Sequence, residues 1–291
     1  MQQREILVMG IINVNRESFY EGSRCTAEDF YRRLSKAFEE GADIVDIGAC
    51  STRPGSTPLS PEEEWANLAA VLGKVNDYFR RSGTPREVSF KGRLLPRISI
   101  DTFRSLIVKR SYELIGPFIV NDISFGEADP LIFSAVAELR LPYIAMHMRG
   151  TPQTMQQLCN YPQGVTKEVT NYFIERCTLA ERAGIEQIIL DPGFGFAKSV
   201  EQNYQLVRDL GKIKEAVGAA LGKEESNIAL LAALSRKSML WRPLGITPNE
   251  ALPATVAMHL QCLLNGADMI RVHDIPEGVQ CRTLFHLLNK E

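Results

Sequence analysis

Apolar positions along the chain gather into short, β-branched runs separated by longer stretches with a helical repeat. Runs at 6–13, 44–48, 98–101, 118–122, 143–147, 188–191, 228–232 and 269–273 predict strands, and several end on a polar residue. Unbroken apolar runs of this length suit strands covered on both faces, as in parallel sheets. Helical patterns occupy 26–40, a second segment that opens at Ser60, and then 103–115, 129–139, 165–183, 199–217, 248–265 and 276–288. Ser60-Pro-Glu-Glu-Glu64 supplies a capping hydroxyl, a proline for the first turn and acids that oppose the helix dipole. Gly41, Gly184 and Gly266 stand where helices stop.

Eight strand–helix pairs in 291 residues predict a single α/β domain over 1–291, a (β/α)8 TIM barrel with its active site at the carboxyl ends of the strands. An open doubly wound sheet would carry a Gly-x-Gly-x-x-Gly turn after its first strand, and none is present. The stretch 80–97 is longer than a helix–strand connection requires. Its Gly, Pro, Arg and Ser content reads as a surface excursion away from the catalytic face.

Composition narrows the class. Hydrophobic residues make up 45% and charged residues 23%, which is globular and excludes a disordered or fibrous chain. Lys plus Arg is 33 against 35 for Asp plus Glu, so no basic excess points to nucleic acid or a membrane surface. No apolar run approaches the ~18 residues of a membrane span. The first ten residues lead into a strand rather than a signal peptide, so a cytoplasmic location is expected. Six cysteines without a Cys-x-x-Cys pair read as free thiols.

The strand ends carry Asn13, Asp46, Asp101, Asn121, Asp122, His147, Asp191, Lys237, Arg271 and His273. One Asp or Asn at a strand end can be a simple helix cap. Such residues on nearly every strand converge on one barrel mouth. Carboxylates and amides together suit a heterocycle with adjacent N–H donors and carbonyl acceptors. Arg53, Arg271 and His273 add positive potential for phosphate or carboxylate. Arg271 and His273 lie two apart on a strand and share a face. A metallohydrolase would need a histidine pair where the chain reads Asn13-Val-Asn15, and the Gly-x-Ser-x-Gly nucleophile elbow is absent. The residues themselves reach a barrel that binds a polar heterocycle and an anion, and leave the reaction open.

Taken together in order, the motifs resemble those of the dihydropteroate synthase family from about Val8 to Gly278. They are Met9-Gly-Ile-Ile-Asn-Val14 with Ser18-Phe19, Gly41-Ala-Asp-Ile-Val-Asp-Ile-Gly48, Ser51-Thr-Arg-Pro-Gly55 and Ile98-Ser-Ile-Asp-Thr102. Then follow Asn121-Asp-Ile-Ser124, Met146-His-Met-Arg-Gly150, Asp191-Pro-Gly-Phe-Gly-Phe196 with Lys198, Ser235-Arg-Lys-Ser238 and Arg271-Val-His-Asp274. The resemblance implies a transferase of folate biosynthesis and a sulfonamide target. Its reaction condenses (7,8-dihydropterin-6-yl)methyl diphosphate with 4-aminobenzoate by an SN1-like route, giving 7,8-dihydropteroate and diphosphate. It also implies a catalytic set of Asp101, Asn121, Asp191 and Lys237, joined by Glu21 of the first loop. The same four pocket residues would hold the pterin. Asn13, Arg271 and His273 would hold diphosphate, with Mg²⁺ bound through Asn13. Thr52, Arg53, Pro54, Phe196, Lys237 and Ser238 would form the aminobenzoate pocket. His147 and Arg149 receive no role. A homodimer built through the later helices is expected on the same ground.

The first loop departs from the family pattern. Asn-Val-Thr-Pro-Asp-Ser-Phe becomes Asn13-Val-Asn-Arg-Glu-Ser-Phe19, and Glu21 also replaces an aspartate. Cys50 stands where a glutamate is common. A non-catalytic pterin-binding paralogue is the alternative that this loop favours. A pterin-dependent methyl-transfer barrel is a second alternative, opposed by Ser-Thr-Arg-Pro and Ser-Arg-Lys-Ser.

Overall fold

A computed structural model describes residues 4–14, 27–49 and 59–290. Its elements run β1 (Leu7–Asn13), α1 (Ala27–Glu39), β2 (Ile44–Gly48), α2 (Pro61–Ser82), β3 (Glu87–Phe90), β4 (Arg93–Pro96), β5 (Ile98–Asp101), α3 (Ser105–Ile115), β6 (Ile119–Asp122), α4 (Ile132–Glu138) and β7 (Tyr143–Met146). The second half continues with α5 (Val165–Arg182), β8 (Ile188–Asp191), α6 (Val200–Leu221), β9 (Ala229–Ala232), α7 (Ser238–Leu244), α8 (Leu252–Leu264), β10 (Met269–Val272) and α9 (Ile275–Leu288). Eight strands close in the order β1-β10-β9-β8-β7-β6-β5-β2, every neighbouring pair parallel. This is the predicted (β/α)8 barrel.

Local chemistry explains the helix boundaries. Ser60 Oγ accepts from the Glu63 amide at 3.2 Å, Glu63 Oε2 accepts from the Ser60 amide at 2.8 Å, and Gly83 closes the helix at φ 69°. Ser199 and Gln202 repeat this capping box on α6. Not all the acids of α2 serve the dipole. Glu64 is buried, accepts from Thr102 Oγ1 at 2.7 Å and pairs with Arg104, tying the start of α2 to the end of β5.

Two apolar layers fill the molecule. The larger lies between barrel and helices and includes Phe30, Leu68, Phe118, Phe125, Phe173 and Leu206. The smaller lies inside the barrel and includes Met9, Ile44, Ile119, Ile144, Ile189, Leu231 and Met269. No helix among the described residues is long and apolar enough to cross a membrane.

Two elements differ from the sequence expectation. The predicted helix over 248–265 is a 3₁₀ turn at Pro248–Ala251 followed by α8, and a further short helix, α7, precedes it. With seven residues and Pro243 inside it, α7 carries too little repeat to be read from sequence. The stretch 80–97 does leave from the face opposite the polar strand ends, but it is more than a surface excursion. β3 and β4 pair as an antiparallel hairpin whose turn, Lys91-Gly92, has positive φ at both residues. Its Phe90 and Leu95 are buried in the inner layer of the barrel. Lys91 Nζ lies 3.1 Å from the buried carboxylate of Asp268, which Lys214 Nζ also reaches at 2.9 Å.

Phe90→Ala should therefore destabilise the whole barrel by about 3–5 kcal/mol, as a large core truncation does. A urea titration reads the loss, and turnover in the absence of denaturant should stay near the parent value because the hairpin lies at the far end. A midpoint unchanged from the parent would show that the hairpin adds nothing to the core.

Candidate active site

Strand alternation creates the site. Along a strand, side chains two apart face the same way. Ile44 and Asp46 on β2, Ile119 and Asn121 on β6, Ile189 and Asp191 on β8, and Met269 and Arg271 on β10 each put an apolar residue in the inner layer and a polar one above it. The polar set is buried: Asp46 is 0%, Asn121 5% and Asp191 3% exposed, so each has to be satisfied from within the molecule or by a ligand.

Arg271 organises this floor. Its Nε donates to Asp46 Oδ2 at 2.7 Å, and its Nη2 reaches Asp46 Oδ2 at 2.6 Å and Asp101 Oδ2 at 3.0 Å. Asn121 Nδ2 donates to the same Asp46 oxygen at 3.1 Å. With its amide nitrogen committed there, Asn121 offers Oδ1 as an acceptor. Burial pulls the Arg271 guanidinium down, and the carboxylates of Asp46 and Asp101 more than offset it, holding it above its ordinary value. Burial pushes the Asp101 carboxyl up to about 7, against Arg271, which opposes the rise. Asp46 stands among the strand-end residues in the sequence but has no role there; its position two residues after Ile44 is the signal that marks it as inward.

A second group stands across the barrel. The Asp191 carboxyl is pushed up by burial, with Lys237 as the main opposing charge, and its Oδ1 accepts from the Gly193 amide at 2.7 Å. Lys237 Nζ donates to Phe194 O at 2.6 Å and lies 4.7 Å from the centre of the Phe196 ring. Burial lowers its ammonium to about 8, although Asp191 pulls the other way. Phe196 sits on a methionine-rich cluster with Met146, Met148 and Met155 at the barrel mouth. Ser238, half-buried, begins α7 immediately after Lys237.

The two predicted anion ligands at the end of β10, Arg271 and His273, separate. Arg271 is turned into the carboxylate set that adjoins Asn121, so the anion group is not independent of the ring pocket. His273 is exposed at the rim, where its Nδ1 meets Ser235 Oγ at 3.0 Å. Between them and α8, Arg236 holds Asp274 through two bonds of 2.8 Å and reaches Asn249 O at 2.8 Å. That brace joins the Ser235–Ser238 turn to the β10–α9 turn and fixes Lys237 relative to Arg271. Glu21, Thr52, Arg53 and Pro54, with the departures at 15–17 and Cys50, lie outside the described residues.

A metal would find few protein ligands here. Among the described residues, no group of three or more His, Cys, Asp or Glu side chains is placed to hold one. Asn13 and Asp101 do come together beside Gly48: a Cβ there would stand 3.6 Å from Asn13 Oδ1, 3.4 Å from Asp101 Oδ2 and 3.3 Å from Asp101 Cβ. One amide oxygen and one carboxyl side by side fit Mg²⁺, which keeps several waters and takes remaining ligands from substrate phosphates.

His147 and Arg149 are now assigned surroundings. His147 is 2% exposed and its Nδ1 meets Lys198 Nζ at 2.9 Å. Arg149 turns outward, pairing with Glu168 and covering the Tyr161 ring at 3.9 Å.

The raised Asp101 carboxyl predicts a pH dependence. In the unfolded chain it ionises near ~4, whereas in the fold it is held at about 7. Its contribution to stability is fully present below the unfolded value and is lost as pH rises through the folded one. Asp101→Asn cannot ionise, so its melting temperature should climb relative to the parent from pH 4 to 7 and stay level above. A gap that stays constant across that range would show a carboxyl ionised throughout.

Comparison with known proteins agrees with this geometry. The family model described as "pterin binding enzyme" matches residues 9–273. Dihydropteroate synthase of Escherichia coli strain K12 is 36% identical over 276 residues, which cover 94% of this chain and 88% of that protein. Among solved structures, Xanthomonas albilineans dihydropteroate synthase with 4-aminobenzoic acid aligns with a TM-score of 0.81 and 33% identity, covering 99% of this chain and 94% of that one. The same enzyme in complex with 7,8-dihydropteroate aligns at 0.78 and 30% identity, with 99% and 95% covered. From the barrel, its buried polar floor and these likenesses, the chain belongs to the dihydropteroate synthase family of pterin binding enzymes.

Proposed function

We propose that this barrel condenses (7,8-dihydropterin-6-yl)methyl diphosphate with 4-aminobenzoate, releasing diphosphate and forming 7,8-dihydropteroate. The observation that carries the reading is the polar floor of Asp101, Asn121, Asp191, Lys237 and Arg271, buried at Asn121 and Asp191 and half-buried at the other three, whose donors and acceptors match a pterin edge. Asp191, oriented by the Gly193 amide, accepts from the adjacent ring N–H and amino groups. Asn121 Oδ1 adds an acceptor, and Lys237 donates to the ring carbonyl and ring nitrogen. A ligand that satisfies these groups relieves their desolvation and is selected strongly over one that leaves them unpaired.

The reacting bond joins the exocyclic methylene to a diphosphate oxygen. It breaks with its electron pair on the diphosphate, and the electron-rich dihydropterin delocalises the cation left behind. The aniline nitrogen of aminobenzoate then forms the C–N bond and releases a proton. Arg271 supplies positive charge, and the His273 ring a hydrogen-bonding group, where the leaving group gathers negative charge. Mg²⁺ held through Asn13, with Asp101 beside it, would neutralise diphosphate oxygens. Phe196 gives the aminobenzoate ring an apolar wall below Lys237, and Ser238 offers its carboxylate a hydroxyl. The same reading includes a homodimer packed through the last helices, which exposed Leu264 on α8 and Leu284, Leu287 and Leu288 on α9 support. A cytoplasmic setting is supported by the free thiols of Cys159, Cys177, Cys262 and Cys281.

The deciding experiment measures diphosphate release by the purified protein with Mg²⁺, with and without aminobenzoate. Release should depend on aminobenzoate; pterin binding without turnover would make the chain a binding paralogue. Arg271 and His273 should separate in the same system. His273→Ala should weaken the diphosphate-bearing substrate at least tenfold and leave a phosphate-free pterin within threefold. Arg271→Ala should weaken both, because it leaves Asp46 and Asp101 unpaired beside the ring pocket. Calorimetry with the two ligands reads the difference, and equal losses in both variants would contradict the split.

A further inference from the structure

The catalytic reading uses the half-buried Lys237 and leaves a fully buried lysine, Lys198, without a task. Lys198 is 4% exposed and lies at the end of the loop that joins β8 to α6. Its Nζ reaches Phe196 O at 2.9 Å, Gly193 O at 3.1 Å, His147 O at 3.4 Å and His147 Nδ1 at 2.9 Å. The ammonium has three protons and spends them inward on the loop's own carbonyls and on the end of β7. Burial lowers this ammonium to about 7, with Asp191 as the main opposing charge. Burial and the neighbouring Lys198 and Arg149 charges hold His147 well below its ordinary value, so its ring is neutral and accepts at Nδ1.

The loop depends on such donors. Every carbonyl from residue 193 to 197 accepts from a side chain: Gly193 and Phe196 from Lys198, Phe194 from Lys237, Gly195 from Gln156 at 3.3 Å, and Ala197 from Tyr161 at 3.0 Å. Two features show that this path is imposed rather than relaxed. Ala197 has φ 51°, a left-handed conformation that L side chains disfavour. Gly193 has φ 69°, and a Cβ there would come within 2.1 Å of His147 O, so the loop is drawn hard against β7 at the place where Lys198 joins them.

We propose that Lys198 is a positioning residue: it clamps the 191–198 loop to β7 and so sets the height of the Phe196 ring, which determines affinity for the second, aminobenzoate substrate. This rests on the reading that places Phe196 beside aminobenzoate. Asp191 is fixed by its own strand, β8, and only its bond from the Gly193 amide runs through the clamped loop, so the pterin half of the site depends on Lys198 less.

The test compares steady-state kinetics of the parent, Lys198→Met, Phe196→Ala and the double variant, with thermal melts to confirm folding. The parent first has to show aminobenzoate-dependent diphosphate release; if it does not, the functional reading fails, whatever Lys198 does. Lys198→Met should raise the KM for aminobenzoate at least tenfold and leave the KM for the pterin diphosphate within threefold. In the Phe196→Ala background the same change should move the aminobenzoate KM less than threefold, since the ring it positions is gone. An aminobenzoate KM within threefold of the parent, equal rises in both KM values, or full additivity with Phe196→Ala would overturn the proposal. Should Lys198→Met not fold, Lys198→Gln, which keeps neutral donors, is held to the same criteria. Failure of both to fold would place Lys198 in the core and overturn it as well.

Discussion

A guanidinium inside a protein is tolerable only where fixed carboxylates neutralise it and its remaining N–H groups find acceptors. Arg271 meets that condition through Asp46 and Asp101, which come from two other strands of the barrel. Much else follows from this one requirement. Asn121 takes its orientation from the same Asp46 carboxylate, and the guanidinium opposes the burial that pushes the Asp101 carboxyl up to about 7. The polar floor rests on an apolar layer built from residues two positions earlier on the same strands. Strand register fixes both layers together, so displacing one strand by a single residue would exchange apolar and polar positions and unmake the site.

Much of this was legible in the sequence because strand periodicity and site chemistry coincide. Eight apolar runs, six of them ending in a polar residue, give the barrel, and Asp101, Asn121, Asp191, Lys237 and Arg271 do converge in it. What escaped the sequence were relations across strands. Asp46 looked like one more strand-end carboxylate until its partner on β10, far along the chain, was in place. His147 and Lys198 matched family motifs without a task, because their contact is with loop carbonyls, which leave no mark on side-chain patterns. Arg271 and His273 looked equivalent by spacing, yet one turns into the floor and the other stays at the rim. The hairpin of β3 and β4 was hidden by shortness: four-residue strands around a Lys-Gly turn carry too few alternations to be told from a loop.

The two lysines near Asp191 show how similar residues acquire different duties. Lys198 is buried and Lys237 half-buried, both have depressed ammonium groups, and both donate to carbonyls of the same loop. Lys237 also faces the Phe196 ring and Asp191, and so remains available to a ligand. Lys198 is enclosed behind the loop, with the ring of His147 on its other side. One serves the front of the loop and the other its back, and on the proposed reading the segment between them carries both the carboxylate for one substrate and the ring for the other.

The hairpin beneath the barrel bears on the fate of the intermediate. Phe90 and Leu95 stopper the amino end of the barrel, and a continuous apolar layer lies above them. The amino end of the barrel is therefore closed, which leaves the strand ends as the way to the polar floor. On a dissociative route, a carbocation formed at that floor can be captured only by what enters from the strand ends, and a seated aromatic amine occupies the path that water would need. On the proposed reading, partition between condensation and wasteful hydrolysis is then set by access as much as by reactivity, and a short hairpin remote from every reacting atom contributes by helping to close the far end.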